Sequence, residues 1–448
     1  MRRTAATLTG LAVLGSLIGG SIAAAPGYAA SAQLITGLPA APAGGCQKEP
    51  QPANVEPALP FAQELFNTER VWAISRGAGV SIAVLDTGVD VGHQQLTGSN
   101  IASGADFANG NGSGSGRFDC DGHGTAVAAL IGAEKVQGVG FQGLAHGATV
   151  LPVAVTPEYD EGNPDRTPVN PDKLASAINW ATGQGAKVIN ISVTLYEDHE
   201  QVRNAVAEAI DNDIVVVASV GNLGVKANPE QGIEASPGPI PYPAAYEGVV
   251  GVNAVDWTGR PLDTSPWGDY VDLAAPGDQI LSANRGGGHI GVSGSGFAAP
   301  FVSATAALVR SKWPDLSASE VVRRLFATAS PAGGTEEKVG YGMVDPYRAL
   351  TETLSDEPPA ALPAASLQSP DAATVARQAE WRFAGQFALA TAGIGVLLAV
   401  VMLATLTLLP LGAKRRWRPG RAKPFPEPKP EGDLPPAPVR LFEDLETS

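Results

Sequence analysis

The sequence is poor in cysteine: Cys46 and Cys120 are the only two in 448 residues. So short a supply excludes a cysteine-rich metal module, and an even count in an exported chain favours one disulfide over thiol chemistry. Such a bond closes a loop of about 75 residues, which the chain-entropy argument values at roughly 4 to 5 kcal/mol as an upper figure. The alternative is a pair of unlinked buried thiols. Positive charge is also scarce, with 30 Lys and Arg against 45 Asp and Glu and a formal charge of -15. No basic cluster precedes Lys414, so nucleic acid is excluded as a partner. No acidic cluster has the spacing of a calcium loop, so no metal site and no cofactor are expected. No internal repeat occurs. The glycines of Asn109 to Gly116 lie between no strand and helix pair, which excludes a phosphate-binding role for them and leaves a flexible loop.

What is present divides the chain into segments. Arg2 and Arg3, an apolar run from Leu8 to Ile22 and small residues up to Ala29 have the layout of a secretory signal peptide, residues 1–29. Residues 30–60, rich in Pro, Ala and Gly, read as an extended arm tethered through Cys46. Residues 61–354 alternate short β-branched runs with helical stretches. The runs at Val80–Leu85, Lys187–Ile191, Asp213–Ala218 and Gly248–Val252 are apolar on both faces, as parallel strands covered by helices must be. The class is therefore α/β. Residues 355–386 form a Pro-rich stalk. Residues 387–411 carry no charge and are long enough to cross roughly 30 Å of hydrocarbon as a transmembrane helix. Lys414, Arg415, Arg416 and Arg418 follow, which sets the tail, 412–448, in the cytoplasm and everything before Phe387 outside the cell membrane.

Candidate chemistry sits in four places. Asp86, in Asp86-Thr-Gly-Val, falls just past a parallel strand, where ligands collect in open α/β sheets. His123, in Asp121-Gly-His-Gly-Thr125, opens a helix of small residues, and glycine beside it permits close approach to a neighbouring element. Asn222 ends a buried strand with an amide able to donate to a developing oxyanion. The fourth stretch, Gly294-Ser-Gly-Phe-Ala-Ala-Pro300, leads into a helix over Phe297 to Lys312. His93, in Gly92-His-Gln-Gln-Leu96, is read as structural, and His146, His199 and His289 have no motif around them.

An Asp, then a His, then a nucleophile borne on a helix is the chain order used by subtilisin. With Ala275-Pro-Gly277 and the closing Gly340-Tyr-Gly-Met-Val-Asp-Pro-Tyr-Arg-Ala-Leu350, these motifs resemble the subtilase family over Phe61 to Leu350. The whole layout, from signal peptide to short tail, resembles the mycosins, the membrane-anchored subtilases associated with type VII secretion. The resemblance implies a subtilisin-like three-layer fold with a mostly parallel sheet between helices. It implies a protein or peptide substrate, the type VII secretion machinery as partner, Asp86 orienting His123, His123 as general base and Asn222 in the oxyanion hole. It also implies Ser192, Ser219 and Gly221 as substrate contacts, with Thr194 standing where many subtilases have Gly and narrowing the cleft. One position departs from the pattern. The family reads Gly-Thr-Ser-Phe-Ala-Ala-Pro, so Ser295 falls on the threonine and Gly296 on the nucleophile. Neighbouring residues at a helix start point about 100° apart, so a hydroxyl at 295 is expected to aim away from His123. Impaired proteolysis with a peptide-binding or scaffold role is therefore expected. The alternative is an active serine endopeptidase using Ser295 with His123 and Asp86.

Overall fold

The computed structural model describes residue 46 and residues 49–354, except 99, 160–168, 229, 230 and 232. The expected signal peptide, stalk, transmembrane helix and tail lie outside the described residues. Among those described, no helix is long and apolar enough to cross a membrane.

In chain order the strands are β1 (Ser81–Asp86), β2 (Ala105–Asp106), β3 (Thr149–Ala154), β4 (Val188–Ile191), β5 (Val215–Ser219), β6 (Val250–Val255), β7 (Leu273–Pro276), β8 (Ile280–Ala283) and β9 (His289–Val292). The helices are α1 (Phe61–Leu65), α2 (Thr68–Trp72), α3 (His123–Gly132), α4 (Pro171–Gly183), α5 (Glu200–Asp211), α6 (Ser295–Lys312), α7 (Ala318–Ala327), α8 (Glu336–Val339) and α9 (Pro346–Thr351). Strands β1 to β7 make one sheet in the order β2-β3-β1-β4-β5-β6-β7, parallel at every pairing. Strands β8 and β9 pair separately as an antiparallel hairpin.

Strand periodicity explains the layers. Ile82 and Val84 of β1, with Val215 and Val217 of β5, face a core filled by α3 and α6. Ala83 and Leu85, with Val216 and Ala218, face a second core filled by α4 and α5. A sheet apolar on both sides needs helices on both sides, and this arrangement supplies them. Helix α6 is buried along nearly its whole length, from Ser295 to Arg310. Ala298, Ala299, Ala304, Ala306 and Ala307 let it lie close to the sheet.

β1 and β4 begin one residue later than their apolar runs suggest and β5 and β6 two residues later, and at β5 and β6 a turn is the cause. Asp213 has φ 61° and its carboxylate accepts from Arg310 and from the Ala318 amide, so β5 starts at Val215. Gly248, at φ 80°, closes a turn ahead of β6. Helix α6, conversely, starts at Ser295 rather than Phe297, because Gly294 at φ 131° caps it.

Where it is described, at residue 46 and over 49–60, the arm forms neither helix nor strand. It is joined to the domain by the Cys46–Cys120 disulfide, with Cα atoms 5.3 Å apart. Backbone bonds continue the attachment: Ala53 N–H donates to Gly287 O, His289 N–H to Asn54 O and Gly140 N–H to Glu56 O.

Candidate active site

The sheet changes direction at β1: the strands that follow it run out to one side as β2 and β3 and to the other as β4 to β7. Such a switch point opens a crevice beyond the carboxyl ends of the strands. Asp86 is the last residue of β1 and is fully buried. Its Oδ1 accepts the Thr87 amide at 2.7 Å.

His123 is the first residue of α3, set by Gly122 at φ 107°. Its Nδ1 lies 2.8 Å from Asp86 Oδ1 and 3.0 Å from Oδ2. A carboxylate only accepts, so Nδ1 carries the proton and Nε2 presents its lone pair. The approach requires glycine at 124. A Cβ there would lie 2.3 Å from Gly88 O and 3.0 Å from both Asp86 Cβ and Oδ1. The imidazole is walled by Phe297 and Tyr159, with ring centroids at 4.6 Å and 5.0 Å. Burial pulls the His123 pKa down, but the charge of Asp86 and its hydrogen bond outweigh this, and the net direction is up.

The loop leading into α3 turns around Asp119, a buried carboxylate that the motifs did not single out. Its Oδ1 accepts from the Asp121 and Gly122 amides, and its Oδ2 from the Thr125 amide and hydroxyl, all at 2.6 to 2.9 Å. Burial pushes its pKa up against those bonds. The only sequence signal was an Asp three residues before a Gly, which marks a turn and nothing more. Cys120 lies between this carboxylate and His123, so the disulfide anchors the same loop.

Positions 295 and 296 differ in what they face. Ser295 is fully buried; its hydroxyl donates to Gly221 O at 2.9 Å and its amide to Asn222 Oδ1 at 2.8 Å. A Cβ on Gly296 would lie 3.2 Å from His123 Nε2, 3.3 Å from His123 Cε1 and 3.1 Å from Ser192 O. The direction that meets the imidazole is therefore that of residue 296. Because Asn222 Oδ1 accepts from helix α6, the donor end of that amide turns away from the Ser295 amide.

Ser192 and Ser219 sit just after β4 and at the end of β5. Ser192 Oγ accepts from Asn190 Nδ2 at 2.9 Å, and Ser219 Oγ bonds Thr194 Oγ1 at 3.2 Å. Thr194 is 6% exposed, its side chain buried against Ser219. Gly221, at φ 79°, supplies the carbonyl that holds Ser295. His93 and His289 lie apart from this cluster. Both are buried and are tied to Gly288 O and to Gln95 Oε1 respectively. Among the described residues no group of His, Cys, Asp and Glu could hold a metal ion.

A buried Asp at the end of a central parallel strand, a His at the start of the helix packed behind it and a small-residue helix completing the crevice define a subtilisin-like α/β protein. The chain belongs to the subtilase family, whose profile matches residues 77–342. Among curated relatives it is similar to Mycosin-4 of Mycobacterium tuberculosis, with 35% identity over 80% of this chain and 82% of that one. It is similar also to Mycosin-3 of the same organism, at 33% identity over 70% of this chain and 77% of the other. A solved structure titled MycP3 protease from the type VII (ESX-3) secretion system superposes with a TM-score of 0.57 at 32% identity, covering 70% of this chain and 95% of its own.

Proposed function

We propose that this chain is a mycosin-like component of a type VII secretion system whose subtilase groove binds peptide while its proteolysis is impaired. The proposal rests on one observation: the backbone position that faces His123 Nε2 is 296, which carries no side chain, whereas the neighbouring hydroxyl of Ser295 donates to Gly221 O. Asp86, His123 and Asn222 then constitute an orienting carboxylate, a general base and an oxyanion donor without a nucleophile. In subtilisin, loss of the nucleophile alone costs about 10⁶-fold in kcat, leaving about 10³- to 10⁴-fold over water. Ser192, Ser219 and Gly221 are the peptide contacts in this reading.

The secretion assignment is supported by the likeness to the MycP3 protease of a type VII secretion system and by the mycosin relatives. The domain layout is supported by composition: residues 1–29 as signal peptide, 30–60 as arm, 61–354 as the subtilase domain, 355–386 as stalk, 387–411 as membrane helix and 412–448 as tail. It holds the groove at the outer face of the cell membrane.

The test compares binding and turnover of one peptide. An extended peptide that the Gly296→Ser variant cuts is expected to bind the native chain and to be recovered whole. Cleavage by the native chain at a rate within tenfold of the variant would remove the claim of impairment. A variant that cuts no extended peptide, with no such peptide bound by either form, would remove the groove itself.

A further inference from the structure

Beyond β4 the chain continues extended through Ser192, Val193, Thr194 and Leu195. Leu195 exchanges both of its backbone bonds with Tyr242, donating to Tyr242 O and accepting from Tyr242 N–H, each at 2.8 Å. Along an extended strand the backbone groups of alternate residues point to opposite edges. Those of Ser192 and Thr194 therefore face away from Tyr242, towards the crevice. Ser192 O does so demonstrably, since it lies 3.1 Å from where a Cβ of residue 296 would be. An edge of this kind, ending at the reacting position, is a template for an extended peptide laid alongside it as an added strand.

The Thr194 amide on that edge is already engaged. It donates to the Tyr159 hydroxyl at 3.2 Å, while the Tyr159 ring stands edge-on to His123 at 5.0 Å. One side chain thus covers the imidazole and accepts the backbone hydrogen bond that a peptide carbonyl would accept. Tyr159 follows the end of β3 by five residues, and its side chain packs on the core beneath α4 and α5.

We propose that Tyr159 is a built-in competitor for the peptide: its hydroxyl stands in for a substrate carbonyl on Thr194 N–H. An incoming chain must displace it before pairing with the edge. The inference rests on the reading of the crevice as a peptide groove and adds the residue that sets the threshold for occupying it. A tyrosine that were simply a groove wall would make contact with the bound peptide and strengthen its binding. A competitor weakens it, so removing the hydroxyl separates the two roles by sign.

The experiment uses the full chain carrying Gly296→Ser, with and without Tyr159→Phe, and two phosphonylating probes. One is a small alkyl fluorophosphonate; the other carries four amino-acid residues on the acyl side of the phosphorus. The readout is the ratio of the peptidyl to the small-probe labelling rate, which cancels changes in the nucleophile itself. Tyr159→Phe removes one neutral hydrogen bond from the unoccupied state and is expected to raise that ratio about threefold to tenfold. A ratio that is unchanged or falls would overturn the inference while leaving the groove reading intact. A peptidyl probe that gains nothing over the small one in either protein would overturn the groove reading, and the competition with it.

Discussion

Gly124 links the fold to the candidate site, and replacing it with alanine is the sharpest structural perturbation available. The added Cβ would lie 2.3 Å from Gly88 O and 3.0 Å from Asp86 Cβ and Oδ1. Restoring an ordinary contact of about 3.4 Å to the carbonyl requires α3 to retreat by about 1 Å, since backbone rather than a flexible side-chain end is in the way. Overpacking of this kind costs about 1 to 3 kcal/mol. His123 is the residue preceding Gly124, so the same retreat lengthens its bonds to Asp86. A displacement of about 1 Å at a reacting group costs roughly 100-fold in rate. In the Gly296→Ser background, Gly124→Ala is therefore expected to slow fluorophosphonate labelling by about two orders of magnitude. In the native chain, an NMR titration of His123 is expected to show its pKa falling from its raised position, because the Asp86 contribution weakens while burial persists. Unaltered labelling together with an unaltered His123 titration would refute the claim that glycine at 124 sets the Asp86–His123 geometry.

Replacing Cys46 and Cys120 together by serine is expected to lower the unfolding free energy by about 2 to 4 kcal/mol, for a bond spanning 74 residues, measured by denaturant titration. A loss below about 1 kcal/mol would show that the backbone bonds of the arm suffice without it. The two histidine groups are expected to oppose one another with pH. His123, raised in the fold, contributes stability that is complete below the ordinary histidine value and is lost as pH rises through its folded value. His289 is lowered by burial and by His93, against Glu56, so stability is lost as pH falls below the ordinary histidine value. The cause is visible in its bonds. Gln95 Nε2 donates to Glu134 O and Phe141 O, so its Oε1 accepts from His289 Nε2, and His289 Nδ1 must accept the Glu56 amide. Protonation sets two N–H groups against each other where the arm docks. The denaturation midpoint of His289→Gln is expected to fall less between pH 6.5 and 5 than that of the native chain; equal slopes would refute this.

Much of this architecture was legible in the residues themselves, and the omissions have physical causes. Apolar runs gave the parallel strands because burial on both faces leaves no polar alternation, although turns at Asp213 and Gly248 trimmed two of them. His123 and its glycines announced a close helix approach, and the register of Gly294 and of Phe297 to Pro300 led to the expectation that Gly296 rather than Ser295 falls where the family has its nucleophile. The Ser295 hydroxyl donates to Gly221 O. Thr194 was expected to narrow the cleft; its side chain is buried and bonded to Ser219. Tyr159 and His289 could not be read locally. Tyr159 meets Thr194 across 35 residues and His289 meets Glu56 across 233, and neither pairing leaves a motif in the chain. Asp119 was hidden for the opposite reason: its bonds are all local, and an Asp three residues before a Gly is common to ordinary turns.

The most direct measurement is peptide mapping of the native, full-length chain after exhaustive treatment with a small alkyl fluorophosphonate, alongside the Gly296→Ser variant. The account predicts no modification of Ser295 in the native chain and stoichiometric modification at position 296 in the variant. A stoichiometric adduct on Ser295 of the native chain would contradict it.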